Sequence, residues 1–328
     1  MANETKLIGH KSQREALKRL FTKGKLPSTM LLAGPAGIGK RRVALEVARS
    51  LLCESTPQYG GCGSCKTCHL IEIGNLPDFY LVECGDREHW GTEETKGLLH
   101  ALNLTSCFGR GRVIVFNDVE ALHIASANAL LKSLEEPRPN TWFILVSANS
   151  SKLPPTILSR SQTFFFNPLA TNEVEEVLGH LKDEVEGLPL SIAELVLLAD
   201  GAPGSITAIK NHALAWMDLK VSMSAIHSGD AQRAASFSAE LAKDKENLAE
   251  KLKLLRIYAR HRMYETPQDP LWALCLSNLI SAERLIFDRN LNAQYVLSVT
   301  FLNLIAKGTL NSFTTLTNSA TLLERIVV

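Results

Sequence analysis

Residues 34–40, Gly-Pro-Ala-Gly-Ile-Gly-Lys, follow the apolar run Thr29-Met30-Leu31-Leu32-Ala33 and precede the helical stretch RRVALEVARSLL, residues 41–52. Gly34, Gly37 and Gly39 stand where missing side chains let backbone N–H groups curl round phosphate oxygens, and Lys40 stands where an ammonium reaches the outer phosphates. Pro27 bounds the apolar run on one side and Gly34 on the other, which gives strand, loop and helix in that order. A phosphate-binding loop in that setting ties the chain to a sheet whose strands alternate with helices.

The rest of the N-terminal half agrees. Residues 11–22 place Ala16, Leu17, Leu20 and Phe21 on one helical face, and further buried strands are read in 79–82, 112–116 and 142–146. Helical segments between them predict a parallel sheet covered on both faces. Ala127, Leu130, Leu131 and Leu134 define a helix that Pro137 stops. After Phe166-Asn167-Pro168 the strands cease, and short helices are expected at about 171–182, 191–199 and 204–212, the middle one opened by the capping box Ser191-Ile192-Ala193-Glu194. From about 213 onward the pattern is helical, with Leu248, Leu252, Leu255 and Ala259 in one apolar stripe. The expected organisation is a phosphate-loop domain over 1–167, a helical lid over 168–212 and an all-α domain over 213–328.

Two positions depart from a hydrolysing phosphate-loop site. The residue after the loop lysine normally carries a hydroxyl for magnesium, and here it is Arg41, which has no acceptor to offer. The third strand runs into Asn117-Asp118-Val119-Glu120, with Asn117 where the metal-binding acid belongs. Asp118 reads equally as the second acid or as a solvated strand-end carboxylate. Loss of both metal ligands predicts no turnover, while nucleotide binding through Lys40 and the loop amides stays open.

Cys53, Cys62, Cys65 and Cys68 form C-x8-C-x2-C-x2-C in a glycine-rich stretch. Four thiols so spaced predict a tetrahedral structural zinc site that folds an insertion too short for its own core. A redox CxxC pair is the competing reading, and His69 stands near enough to replace one sulfur. Cys84, Cys107 and Cys275 are isolated and read as ordinary core or half-buried residues. The chain has seven cysteines, no signal-peptide core and no apolar run of membrane-spanning length, so a reduced, cytoplasmic setting is expected. Lys plus Arg total 35 against 34 for Asp plus Glu, so no overall basic field advertises nucleic-acid binding by the chain alone.

The phosphate loop, the four-cysteine insertion after its helix, the run 128–137 (NALLKSLEEP) and the run 156–161 (TILSRS) together resemble the bacterial clamp-loader subunits of DNA polymerase III, delta-prime type. The resemblance covers roughly residues 8–210 and is closest in those motifs; the helical remainder resembles the family only in kind and length. It implies an AAA+ fold: a RecA-like domain, a helical lid and a collar domain that joins five subunits into an open ring. It implies, too, that Cys53, Cys62, Cys65 and Cys68 hold zinc. Arg160 matches the arginine of the family's Ser-Arg-Cys motif, which reaches into a neighbour's ATP site, with Ser161 replacing the cysteine. Hydrolysing gamma-type relatives keep Thr or Ser after the lysine, Asp-Glu at the strand end and an arginine in the lid helix. Arg41, Asn117-Asp118 and Gly204 occupy those places here.

The implied function is a non-hydrolysing scaffold within the DNA polymerase III holoenzyme, a nucleotidyltransferase assembly. Its partners would be gamma or tau and delta subunits, the beta sliding clamp and, through the complex, primed DNA. An active gamma/tau-like ATPase with a divergent metal site is the rival, and a zinc-dependent DNA-binding protein the third reading.

Overall fold

The computed structural model describes residues 7–55, 58–83, 95, 97, 98, 106, 107, 109–181, 185 and 188–306. They fall into two compact units, one within 1–184 and 201–206, the other within 185–200 and 207–328.

The first unit contains α1 (Lys11–Thr22), β1 (Thr29–Ala33), α2 (Lys40–Leu52), α3 (Lys66–Glu72), β2 (Phe79–Val82) and β3 (Arg112–Phe116). It continues with α4 (Ile124–Glu135), β4 (Thr141–Ser147), α5 (Pro155–Leu158), β5 (Gln162–Phe165) and α6 (Thr171–His180). The strands form one parallel sheet in the order β2-β3-β4-β1-β5. Side chains alternate across it. Met30, Leu32, Val113, Val115, Ile144 and Val146 face one core with Leu17, Val43, Val47 and Ile71 of α1 to α3. Leu31, Ala33, Ile114, Phe116, Phe143 and Leu145 face the other with Leu130 and Leu134 of α4 and Ile157 of α5. Burial on both faces is why these strands read as continuous apolar runs, and each fully buried Val, Leu, Ile or Phe contributes roughly 1.5–3 kcal/mol.

The four expected strands are present, with β4 one residue longer at each end. β5 is a fifth. It lies at a sheet edge, and its partial exposure leaves none of the apolar alternation that marks a half-buried strand. The segment between β2 and β3, including Cys84, falls largely outside the described residues.

The second unit holds α7 (Ile192–Ala199), α8 (Ile206–His227), α9 (Ala231–Lys243), α10 (Leu248–Glu265), α11 (Leu271–Phe287) and α12 (Ala293–Ile305). Ser191 caps α7 as expected: its hydroxyl accepts from Glu194 N at 3.3 Å, and Ser191 N donates to Glu194 Oε2 at 3.0 Å. α8 does not stop near 212, because neither glycine nor proline interrupts residues 205–228. Leu248, Leu252, Leu255 and Ala259 are all buried in α10, which packs against α11, while α9 and α11 pack against α12. Phe237 stacks on Phe301 at 5.5 Å between ring centroids.

No helix among the described residues is long and apolar enough to cross a membrane.

Candidate functional site

The loop between β1 and α2 is held at several points. Gly34 N donates to Ser147 O at 3.2 Å and Phe166 N to Ala33 O at 2.7 Å, so the loop's root is clasped between the continuations of β4 and β5. A side chain at Gly34 would put its Cβ 2.2 Å from Phe166 O. Gly37 and Gly39 have φ of +75° and +101°, where a Cβ is disfavoured, and Gly39 caps α2. Two further tethers were not anticipated from the sequence. His10 Nε2 donates to Ile38 O at 2.7 Å, and Gly204 N donates to Gly37 O at 2.8 Å. The second is why position 204 is closed to larger residues, since a Cβ there would lie 2.7 Å from Gly37 O.

Lys40 is 5% exposed, and its Nζ donates to Gly34 O and Pro35 O, both at 2.6 Å. Burial lowers its pKa, against the opposing pull of Glu120 and Asp118. A cavity of about 470 Å³ opens beside the loop, within the size range of small-molecule sites. Its lining is of two kinds. Loop backbone with Lys40, Arg41, Arg42, Asn117 and Asp118 supplies charge and hydrogen-bonding groups, while Leu7, Ile8, Val146, Leu169, Val177 and Leu181 supply an apolar wall.

The metal positions are otherwise engaged. Arg41 forks onto Glu83 just beyond β2, Nε to Oε1 at 2.7 Å and Nη2 to Oε2 at 3.3 Å. Asn117 Nδ2 donates to Asp118 Oδ2 at 3.2 Å, and Asp118 sits in the left-handed region at φ +55°. Burial, then the nearby Glu120, raises the Asp118 pKa. Glu120 Oε1 accepts from Ala148 N at 2.7 Å and Asn149 N at 3.2 Å, so this acid braces the end of β4.

At the end of α2 and the start of α3, the Sγ atoms of Cys53, Cys62, Cys65 and Cys68 all lie within 4.8 Å of one another. Cys53 to Cys65 is 3.9 Å and Cys62 to Cys68 is 4.0 Å. Four thiolates about 2.3 Å from a tetrahedral ion would stand about 3.8 Å apart, so this set fits a metal such as zinc. His69 is not among the converging groups. Backbone N–H groups of Cys62, Cys65 and Cys68 donate to Cys53, Cys62 and Cys65 Sγ at 3.4, 3.2 and 3.4 Å, which orients three of the four sulfurs. Bonds from the Ser64 backbone and hydroxyl bring Cys62 down to about 5, whereas burial pushes Cys68 up to about 12. A divalent cation removes that conflict by favouring thiolate at every position. Gly61, at φ +71°, passes so close that a Cβ there would lie 2.9 Å from Cys68 Sγ. Elsewhere Cys275 is buried, and Cys107 is exposed where a core or half-buried side chain was expected.

Arg160 follows α5. Its Nη1 donates to Thr156 O at 3.1 Å and its Nη2 to Glu135 Oε2 at 3.1 Å, and among the described residues its Nε has no hydrogen-bond partner. Ser161 Oγ donates to Ile157 O at 2.8 Å, which braces the same turn. Arg160 is not part of the lining of the phosphate-loop cavity.

A glycine loop with a buried lysine at the carboxyl end of a parallel strand, beside a lined cavity, defines a phosphate-loop domain of the parallel-sheet class. Residues 9–170 match the family described as DNA polymerase III, delta subunit. That stretch belongs to the clamp-loader subunits of DNA polymerase III, and the resemblance to the delta-prime type holds across it. DNA polymerase III subunit delta' of Pseudomonas aeruginosa is 38% identical over 56% of this chain and 55% of that protein. Subunit delta' of Escherichia coli is 29% identical over 60% of this chain and 58% of that protein, and E. coli subunit tau is 32% identical over 67% and 34%. The chain thus spans a little over half the length of these delta' relatives and a third of the tau relative. Among solved structures, a DNA polymerase III gamma-subunit-related protein from Thermotoga maritima is 18% identical over 90% of this chain and 98% of that one, at a TM-score of 0.44, too low to add to the fold described above.

Proposed function

We propose that this chain is a non-hydrolysing, delta-prime-type member of a DNA polymerase III clamp-loading ring. In this reading it sits with gamma or tau and delta subunits in a cytoplasmic hetero-oligomer that places the beta sliding clamp on primed DNA. The observation that carries it is the pairing of Arg41 with Glu83 where a hydrolysing site needs a metal-binding hydroxyl, beside Asn117 where it needs an acid. Phosphoryl transfer rests on positioning and charge neutralisation, so a site without either metal ligand loses orders of magnitude in rate. The phosphate loop then serves geometry, with Gly34, Gly37, Gly39 and Lys40 able to hold ATP or ADP without using it. The chain's chemistry lies at Arg160, which would complete the ATP site of the adjacent subunit. Its place in the turn after α5, braced by Thr156 and Glu135, supports that role, because a finger needs a delocalised charge on a rigid base.

Cys53, Cys62, Cys65 and Cys68 would hold one structural zinc. The division into a phosphate-loop domain (1–167), lid (168–212) and collar (213–328) is part of the same proposal. Reconstitution of the loader with Arg160→Ala tests it: clamp loading and DNA-stimulated ATPase should fall at least 10-fold, and unchanged rates would remove the finger role.

One observation favours a second reading, a gamma/tau-like ATPase with a divergent metal site: Lys40 and Asp118 both line the cavity. Magnesium-dependent ATP turnover by the purified chain, abolished by Lys40→Ala, would establish that alternative.

A further inference from the structure

We infer that the phosphate-loop cavity binds nucleoside di- or triphosphate without magnesium, the Arg41 guanidinium taking over the charge neutralisation that a metal supplies in hydrolysing relatives of the fold. The inference rests on the nucleotide-holding part of the function proposed above and adds how the ligand's charge is met.

A nucleoside polyphosphate carries several negative charges, and a low-dielectric pocket admits it only when they are offset. In phosphate-loop enzymes Mg²⁺ does much of this, held by the loop hydroxyl and a strand-end acid. Neither ligand exists here. Position 41 is an arginine, position 117 an amide, and Asp118 is the carboxylate left in the cavity lining. Mg²⁺ demands near-octahedral oxygen coordination and gives up its waters reluctantly, so a lone carboxylate is a poor anchor for it. Three cations line the same cavity, Lys40, Arg41 and Arg42, and the anionic groups facing them are Asp118, Glu120 and Glu83.

The geometry of Arg41 suits the exchange. Its contact with Glu83 uses Nε and Nη2, and among the described residues no hydrogen bond uses Nη1. Glu83 therefore fixes the guanidinium plane while one donor pair stays available to phosphate oxygens. Arginine binds phosphate through such paired N–H groups, and it bears its charge at every physiological pH. In such a site Mg²⁺ competes with Arg41 for the same oxygens.

The test is calorimetric titration of ADP and of ATP into the full chain, once in EDTA and once in millimolar Mg²⁺. The expected result is a Kd in EDTA no more than threefold weaker than in Mg²⁺, or tighter. Arg41→Thr, which restores a hydroxyl, should weaken binding in EDTA at least 10-fold relative to the wild type and regain part of it when Mg²⁺ is added. Arg41→Lys keeps a point charge without the fork and should fall between. Wild-type binding at least 10-fold weaker in EDTA than in Mg²⁺ would overturn the inference and leave nucleotide holding intact. No heat in either buffer, from a chain whose thermal unfolding is normal, would overturn both.

Discussion

Gly61 and Gly74 share a backbone conformation, φ +71° at each, but not their surroundings. An added Cβ at Gly74 meets nothing within 4 Å, whereas at Gly61 it lies 2.9 Å from Cys68 Sγ, 3.0 Å from Arg49 Cβ and 3.1 Å from Arg49 O. Gly74→Ala therefore costs the left-handed strain alone, about 1–2 kcal/mol. Gly61→Ala carries the same strain and also drives the sulfur away. Ordinary contact begins at 3.4 Å, so relief requires a shift of about 0.5 Å, well beyond the ±0.2 Å that metal–ligand distances tolerate. Both variants should lower the melting temperature, Gly74→Ala by roughly 2–8 °C for a unit of this size. Metal affinity separates them. In competition with a chromophoric chelator, Gly74→Ala should match the wild type, and Gly61→Ala should bind zinc about 10–100-fold more weakly, the range for disturbed outer-shell support. Equal affinities in the two variants would refute the argument that the glycine turn shapes the cysteine site.

Phe301→Ala should cost the helical unit about 3–5 kcal/mol in denaturant unfolding, because Phe301 is fully buried and stacked on Phe237. The hydrogen bond from Lys220, then that from Ser191 N, holds Glu194 at about 2 against an ordinary 4.5. A depressed carboxyl contributes stability that is complete above the unfolded value and is lost as pH falls from about 4.5 toward 2. Glu194→Gln should flatten the stability profile in that interval, and an unchanged slope would show that the carboxylate pairing is not its source.

Much of the first unit was legible because its signals are local. The apolar runs of β1, β2, β3 and β4 mark strands buried on both faces, and the glycine spacing with Lys40 marks the loop between β1 and α2. Ser191 and Glu194 announced α7 because capping needs only three residues of separation. What escaped notice depends on contacts distant in sequence. His10 reaches Ile38 from a position that carries no motif, and Gly204, read from the sequence only as a missing lid arginine, reaches Gly37. Glu83 became relevant only when the sheet order set the end of β2 where Arg41 could pair with it. β5 was missed because its four residues, Gln162-Thr163-Phe164-Phe165, are half polar and none is fully buried, unlike the apolar run of β2 at the opposite edge. At the cysteines the spacing predicted convergence, and the folded chain adds the N–H groups that orient three of the four sulfurs.

The central claim is that the chain's own phosphate loop is catalytically silent while its arginine works in a neighbour. The most direct measurement is the DNA-stimulated ATPase of the loader reconstituted with either Arg160→Ala or Lys40→Ala in this chain. The account predicts at least a 10-fold loss with Arg160→Ala and a wild-type rate with Lys40→Ala; a loss confined to Lys40→Ala, with Arg160→Ala unaffected, would contradict it.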